Sequence, residues 1–227
     1  MAPCKKGGNP MSRLLMIVPS RKRPKACAEV LEEFKKNSTD SDILFGLDED
    51  DKSEYAPEVL ERAEINPRLR MGGTLNLLAN KYASKYEYLG FMGDDHRPRT
   101  EGWDVKLCEA IGNKPGVAYG NDLLQGANLP TAVVLSSKIV QRIGYMVPPT
   151  LVHMYMDNFW RDFGQSLGNL TYLDDVILEH LHYLAGKAIN DLQYQEVNAS
   201  HVYENDRVAY ALYQSGQFDK DIQKVLS

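Results

Sequence analysis

Tyr88-Leu89-Gly90-Phe91-Met92-Gly93-Asp94-Asp95-His96 is an apolar run that passes through a glycine into two adjacent carboxylates and an imidazole. A short apolar run with an aromatic and a glycine reads as a buried strand, so the acidic cluster falls where that strand leaves the sheet. Open α/β sheets bind ligands outside the carboxyl ends of their strands. Two neighbouring carboxylates repel each other, and a cation shared between them removes the conflict. Asp and His together suit Mn²⁺ or Mg²⁺, ions that also bridge a diphosphate. The same residues would equally suit an Asx-rich turn that starts the next helix.

Upstream, Leu14-Leu15-Met16-Ile17-Val18 is a continuous apolar run, the pattern of a strand buried on both faces of a parallel sheet. It opens into Pro19-Ser20-Arg21-Lys22-Arg23-Pro24, a loop with three cations, and then a helix with Ala26, Cys27, Val30, Leu31 and Phe34 on one face. A second strand, Asp42 to Leu47, runs into Asp48-Glu49-Asp50-Asp51, so a cationic loop and an acidic loop meet at one edge of the sheet. Gly72-Gly73 then precedes Thr74, which reads as the N-cap of a helix with Leu75, Leu78, Ala79 and Tyr82 on its apolar face. Asn76 and Asn80 fall on another face, and a phosphate would fit over the two glycines.

Downstream, Thr100 reads as the cap of a helix carrying Trp103, Leu107, Ala110 and Ile111 and closed by Gly112. Strands follow at Val117 to Tyr119 and Thr131 to Leu135, and Ser136 caps a short helix closed by Gly144. In Tyr155-Met156-Asp157-Asn158-Phe159-Trp160 a carboxylate sits among aromatics, a setting that raises a pKa toward general-base range, while Phe159 and Trp160 themselves read as core. Helix capping is the competing role for Asp157. Val176-Ile177-Leu178-Glu179-His180-Leu181-His182 alternates, which as a strand places His180 and His182 on one face, able to meet one metal. A last amphipathic helix is expected from about Arg207 to Val225, packed as an arm on the main domain.

The chain has 227 residues with 43% hydrophobic composition, enough for one large core. Its net charge of -5 supplies no general basic surface for nucleic acid. Cys4, Cys27 and Cys108 are odd in number and lack C-x-x-C spacing, which argues against a disulfide framework or zinc ribbon and for a reducing cytoplasm. No stretch reaches the roughly 20 apolar residues of a membrane span. The expected organisation is a loose tail over residues 1–11, an α/β domain over 12–187 and a helical extension over 188–227.

Leu14 to Pro24, the acid after the second strand, Gly93-Asp94-Asp95-His96, and Asp157 followed by His182 resemble a GT-A fold glycosyltransferase in the neighbourhood of family 2, over roughly residues 12 to 185. The size and lack of spans look like its compact bacterial and bacteriophage members. The resemblance implies a Rossmann-like, mixed but mostly parallel sheet flanked by helices, with a C-terminal helical extension. It also implies a nucleotide-sugar donor, UDP-linked, and an acceptor hydroxyl on a glycan, a small molecule or a modified nucleobase. By that resemblance Pro19, Ser20, Arg21, Arg23, Asp48 and Asp50 hold the nucleoside, with Gly73, Asn76 and Asp94 nearby. The family's acidic motif is Asp-x-Asp, and this chain departs from it. Either Gly93-Asp94-Asp95 has lost the first acid and Asp95 is the metal ligand, or Asp94-Asp95-His96 is an Asp-x-His variant with His96 on the metal. His182 resembles the late histidine that completes the metal site, and Asp157 resembles the base of an inverting member.

Three other readings fit parts of the pattern. A nucleotidylyltransferase would want a glycine-rich loop with lysine after the first strand, and Pro19-Ser20-Arg21 has no glycine. A metal-dependent hydrolase would use His180, His182 and Asp94. A nucleotide- or carbohydrate-binding module without catalysis would share the same cleft.

Overall fold

Side chains of β1 (Leu14–Ser20) enter two different cores, Leu15 and Ile17 joining one while Leu14, Met16 and Val18 join the other. That is why the strand reads as an unbroken apolar run. The computed structural model describes residues 12–188, 191–197 and 199–227; the tail expected over residues 1–11 lies outside them. β2 (Ser41–Asp48) pairs parallel with β1, β3 (Ala63–Asn66) adds a parallel edge to β2, and β4 (Tyr88–Phe91) pairs parallel with β1 on its other side. β5 (His96–Pro98), β6 (Val117–Asn121), β7 (Val133–Ser136) and β8 (Leu170–His180) complete the order β3-β2-β1-β4-β7-β6-β8-β5. β7 runs antiparallel to β4 and β6, and β5 antiparallel to β8. The sheet is therefore mixed and mostly parallel. Its connections reverse direction at β1 and β4, the kind of switch point where open α/β sheets form a ligand crevice.

One face is covered by α1 (Pro24–Asn37), with α2 (Pro57–Leu60) beside it. The other face carries α3 (Arg70–Tyr82), while α4 (Trp103–Ile111) returns to the first, with Trp103 against Phe34 at 5.8 Å between ring centroids. α5 (Ser137–Ile143) and α6 (Met156–Ser166) join α3, and Phe159 and Trp160 are buried there as the sequence predicts. α7 (Leu192–Val197) crosses the crevice. α8 (Ser200–Gly216) and α9 (Phe218–Leu226) bury Tyr210, Tyr213, Ile222 and Val225 in the same core as α5 and α6. Among the described residues no helix is long and apolar enough to cross a membrane.

Several local expectations are corrected. α3 starts at Arg70, so Thr74 is a buried residue inside the helix and not its N-cap. The two glycines lie in its first turn because Gly72 packs on backbone: a Cβ there would stand 2.2 Å from the Leu151 carbonyl oxygen. Asn76, expected on an exposed face, accepts from the Met146 and Val147 amides and donates to the Val147 carbonyl, tying α3 to the loop before α6. Gly102 occupies the N-cap of α4, while the Thr100 hydroxyl donates to the Asp175 carbonyl and accepts from the Ile177 amide. The expected last helix is two, α8 and α9, separated at Gln217.

Asp206 on α8 is 1% exposed, and its carboxylate accepts the amides of Val152, His153 and Met154 at 3.0, 2.8 and 2.7 Å. This clamp shapes the turn that leads into α6. Removing it leaves three partly buried donors without their acceptor, each worth about 1 kcal/mol or more. Asp206→Ala should therefore lower unfolding free energy by about 3–5 kcal/mol in a denaturant titration, and Asp206→Asn, which retains one acceptor oxygen, by clearly less.

Candidate functional site

The carboxyl ends of β1, β2 and β4 border a cleft of about 290 Å³, close to the lower bound for small-molecule sites. Pro19, Ser20, Arg21, Arg23, Asp48, Asp94, Asp95, His96, Asp157 and His182 all line it, so most of the sequence-predicted site converges on one cavity. Asp50 reaches it through Arg21, whose guanidinium bridges Asp48 at 2.9 Å and Asp50 at 2.5 Å. Gly73 and Asn76 are not among the lining residues: Gly73 is turned toward Leu69, and Asn76 is engaged with the loop at 146–147.

The adjacent carboxylates point to different partners. Asp94 is 6% exposed and accepts from the Ser20 hydroxyl at 2.5 Å and from Arg23 at 3.2 Å, which ties the end of β4 to the loop after β1. Burial and the charge of Asp95 push its carboxyl upward, against the pull of Arg23 and Ser20. Asp95 faces the two stacked imidazoles of His96 and His180, whose ring centroids are 4.1 Å apart. Burial would raise Asp95, but its contacts with His180 at 3.3 Å and His96 at 3.2 Å hold it well below the usual carboxylate range. His180 shows the reverse balance: burial depresses it, and the carboxylates of Asp122 and Asp95 override that to hold it at about 9.

The backbone sets up this meeting. β5 pairs with β8 so that His96 lies directly opposite His180. The His180 amide donates to the Asp122 carbonyl at 2.9 Å and the next amide, of Leu181, to the Asp95 carbonyl at 2.8 Å. β8 ends at His180, so His182 is beyond the strand and the two histidines do not share a strand face as the alternation predicts. Their rings remain close, 5.0 Å between centroids. At Gly93, the position that one of the two motif readings treats as a lost acid, a Cβ would lie 2.4 Å from Asp95 Oδ1. The Gly93 amide instead donates to His96 Nδ1 at 3.1 Å.

Asp95, His96 and His180 place one potential ligand atom each within 4.8 Å of one another. The Asp95 Oδ2 to His180 Nε2 separation of 3.3 Å is close to the roughly 3 Å between neighbouring ligands of an octahedral ion with bonds of about 2.1 Å. A carboxylate with imidazole suits Mn²⁺ or Mg²⁺, so these residues fit such an ion. Asp157 lies in the first turn of α6, whose N-cap is Tyr155, so capping does not explain its presence. Its carboxyl is raised to about 6, chiefly by burial and further by the charge of Asp122, with His180 opposing.

Four residues in or beside the cleft escaped the sequence reading. Asp122 sits behind the histidines, and the signal for it was present: Val117 to Asn121 is a strand running into acid, like β2 and β4. From α7, the Tyr194 hydroxyl donates to Asp95 at 2.6 Å, and its ring lies 4.1 Å from the Arg23 guanidinium carbon. Asp191 pairs with Arg23 at 2.8 Å, and Glu196 accepts from both Arg68 and Arg70. No periodicity marks that segment, because its contacts are polar and long-range.

The architecture is the GT-A fold of glycosyltransferases, shared with solved structures at low sequence identity. TarS 1–349 from S. aureus is 13% identical with a TM-score of 0.54, covering 73% of this chain and 59% of its own. The mannosyltransferase PcManGT from Pyrobaculum calidifontis, in complex with GDP-Man and Mn²⁺, is 9% identical over 90% of this chain and 76% of its own, TM-score 0.57. Glucosyl-3-phosphoglycerate synthase from Mycobacterium tuberculosis, in complex with Mn²⁺, UDP and phosphoglyceric acid, is 11% identical over 90% and 79%, TM-score 0.60. The chain spans only 59% and 42% of the two TarS chains it first matches. No family model matches the sequence, and no curated protein matches it significantly.

The geometry ranks the histidines. Loss of Mn²⁺ signal on titration, followed by electron paramagnetic resonance, should disappear in Asp95→Asn and weaken at least tenfold in His180→Asn, with a smaller effect in His182→Asn. An effect in His182→Asn larger than in His180→Asn would restore the order read from the sequence.

Proposed function

We propose that this chain is a metal-dependent glycosyltransferase that moves a hexosyl group from a UDP-linked sugar to an acceptor hydroxyl. The observation that carries the reading is the convergence, at one switch-point cleft, of the Arg21–Asp48 pair, the Ser20–Asp94–Arg23 cluster, the Asp95–His180 pair and a half-buried Asp157. The fold it shares with nucleotide-sugar enzymes supports it, and the UDP in the phosphoglycerate synthase structure favours uridine over guanosine as the first donor to try.

Each group has a role that its surroundings suit. Arg21, fixed between Asp48 and Asp50, and Ser20 border the nucleoside end, and Arg23 offers its charge to the diphosphate. Mn²⁺ or Mg²⁺ held by Asp95 with His180, and with His96 or His182 beside them, would supply the positive charge that a departing diphosphate needs. Asp157 takes the proton of the acceptor hydroxyl as the acceptor oxygen bonds to the anomeric carbon and the bond to the nucleoside diphosphate breaks. The carboxylates thus have opposite requirements: Asp95 stays ionised among cationic partners, while Asp157 keeps a raised proton affinity in a drier wall.

Two outcomes test the reading. A UDP-sugar at about 100 times its Kd adds about 2.7 kcal/mol of stability, or roughly 5–10 °C in Tm for a chain of this size, and it should do so only with Mn²⁺ or Mg²⁺ present. No divalent-dependent shift with any nucleotide sugar would refute it. Asp157→Asn should keep that shift and lose roughly 10²-fold or more in turnover. Because the base must be deprotonated, wild-type turnover should be flat above a pH of about 6 and fall tenfold per unit below it.

A further inference from the structure

α7 and the residue before it lie across three arginines that line the cleft, Arg23, Arg68 and Arg70. Asp191 accepts from Arg23 through both carboxylate oxygens, at 2.8 Å from Nη2 to Oδ1 and 3.2 Å from Nε to Oδ2. Its Oδ1 also accepts the Tyr194 amide at 2.8 Å, which caps the first turn of α7. Further along the helix, one oxygen of Glu196 accepts from both Arg68 and Arg70. Between the two acids the Tyr194 ring lies over the Arg23 guanidinium, and its hydroxyl donates to Asp95.

Apolar packing does not hold α7 there. None of its described side chains belongs to either hydrophobic core, and Tyr194, though 6% exposed, packs on Arg23, His182 and Tyr183. The carboxylates of Asp191 and Glu196 are 44% and 39% exposed, and ion pairs so open to water are individually weak. A segment anchored by few apolar contacts and by such pairs opens at low cost. With α7 in place the cleft is about 290 Å³, the bottom of the range for drug-sized ligands, and a nucleoside diphosphate with its sugar is larger than those. A diphosphate also brings more charge and more acceptor oxygens to an arginine than one carboxylate does.

We propose that α7 is an internal competitor for the cleft: Asp191 and Glu196 occupy the arginines that a diphosphate needs, and α7 leaves when such a ligand enters. The empty cleft is thereby kept closed by the chain's own acids, and the apparent affinity for the ligand is reduced by the fraction of chains in which α7 is seated. That the natural ligand is a nucleoside diphosphate rests on the proposed function; the competition for the arginines does not.

The probes are inorganic diphosphate alone and UDP with Mn²⁺, each titrated by calorimetry into wild type and into the double variant Asp191→Asn/Glu196→Gln. The amides keep the cap and the shape of α7 while removing its charge. The double variant should bind each probe about tenfold more tightly or better. In wild type, hydrogen exchange of the backbone amides over Leu192–Val197 should quicken when either probe saturates the site, because α7 leaves it. Equal or weaker binding by the variant would overturn the inference, as would exchange at α7 that stays the same or slows, the behaviour of a lid closing over the ligand. The exchange measurement needs wild type alone, so it decides the matter if the variant does not fold. Tighter binding of inorganic diphosphate by the variant, with UDP binding neither chain, would overturn the proposed function and support the competition by α7. No binding of either probe to either chain would overturn both.

Discussion

Two carboxylates on consecutive residues cannot both face one low-dielectric cavity as anions without support, and the arrangement at the end of β4 is built around that constraint. The chain separates them by direction. Asp94 turns toward β1, where Ser20 and Arg23 receive it, and Asp95 turns toward β5 and β8, where two imidazoles and the Tyr194 hydroxyl do. Each carboxylate thereby joins a different part of the sheet to the end of β4. The loop after β1, the β5–β8 pair and α7 are positioned by those two side chains as much as by the apolar cores beneath.

Glycine at position 93 belongs to the same constraint. With no side chain there, Asp95 folds back over the turn and the Gly93 amide is free to donate to His96. A residue that reads as a lost acid in the motif thus leaves room for the Asp95 and His96 side chains to close over the turn. The cleft also lies beside cations already partnered by α7 and the residue before it, since Asp191 engages Arg23 and Glu196 engages Arg68 and Arg70. An anionic ligand entering here exchanges with carboxylates of the chain itself.

What the sequence made legible follows from burial. β1, β2 and β4 are covered on both faces and appear as apolar runs, and the polar groups that follow each run mark the crevice. The edge strand β3, with Ile65 64% exposed, has no such run and reads as a connection. Thr74 looked like a cap because two glycines precede it, yet Gly72 packs against the Leu151 backbone and Gly73 against Leu69, and the helix starts four residues earlier. His180 and His182 could not be ranked by alternation, since the strand's end is decided by pairing with a three-residue partner too short to announce itself. Asp157 was legible from its aromatic neighbours. Asp122 was passed over although it follows an apolar strand as Asp48 and Asp94 do; what the sequence could not show was its partners, the Thr131 hydroxyl, three amides and the His180 ring.

The pairing of β5 with β8 joins residues 85 positions apart in the Asp95–His180 contact. During synthesis at about 5–20 residues per second, Asp95 leaves the ribosome roughly 4 to 17 s before its partner exists. Over that interval β1, β2 and β4 can assemble their parallel core, while the two carboxylates at its edge have only the loop after β1 and water to answer their charge. The centre is thus the product of a late closure onto an early scaffold, and a chain truncated before His180 would carry the crevice without the half that completes it.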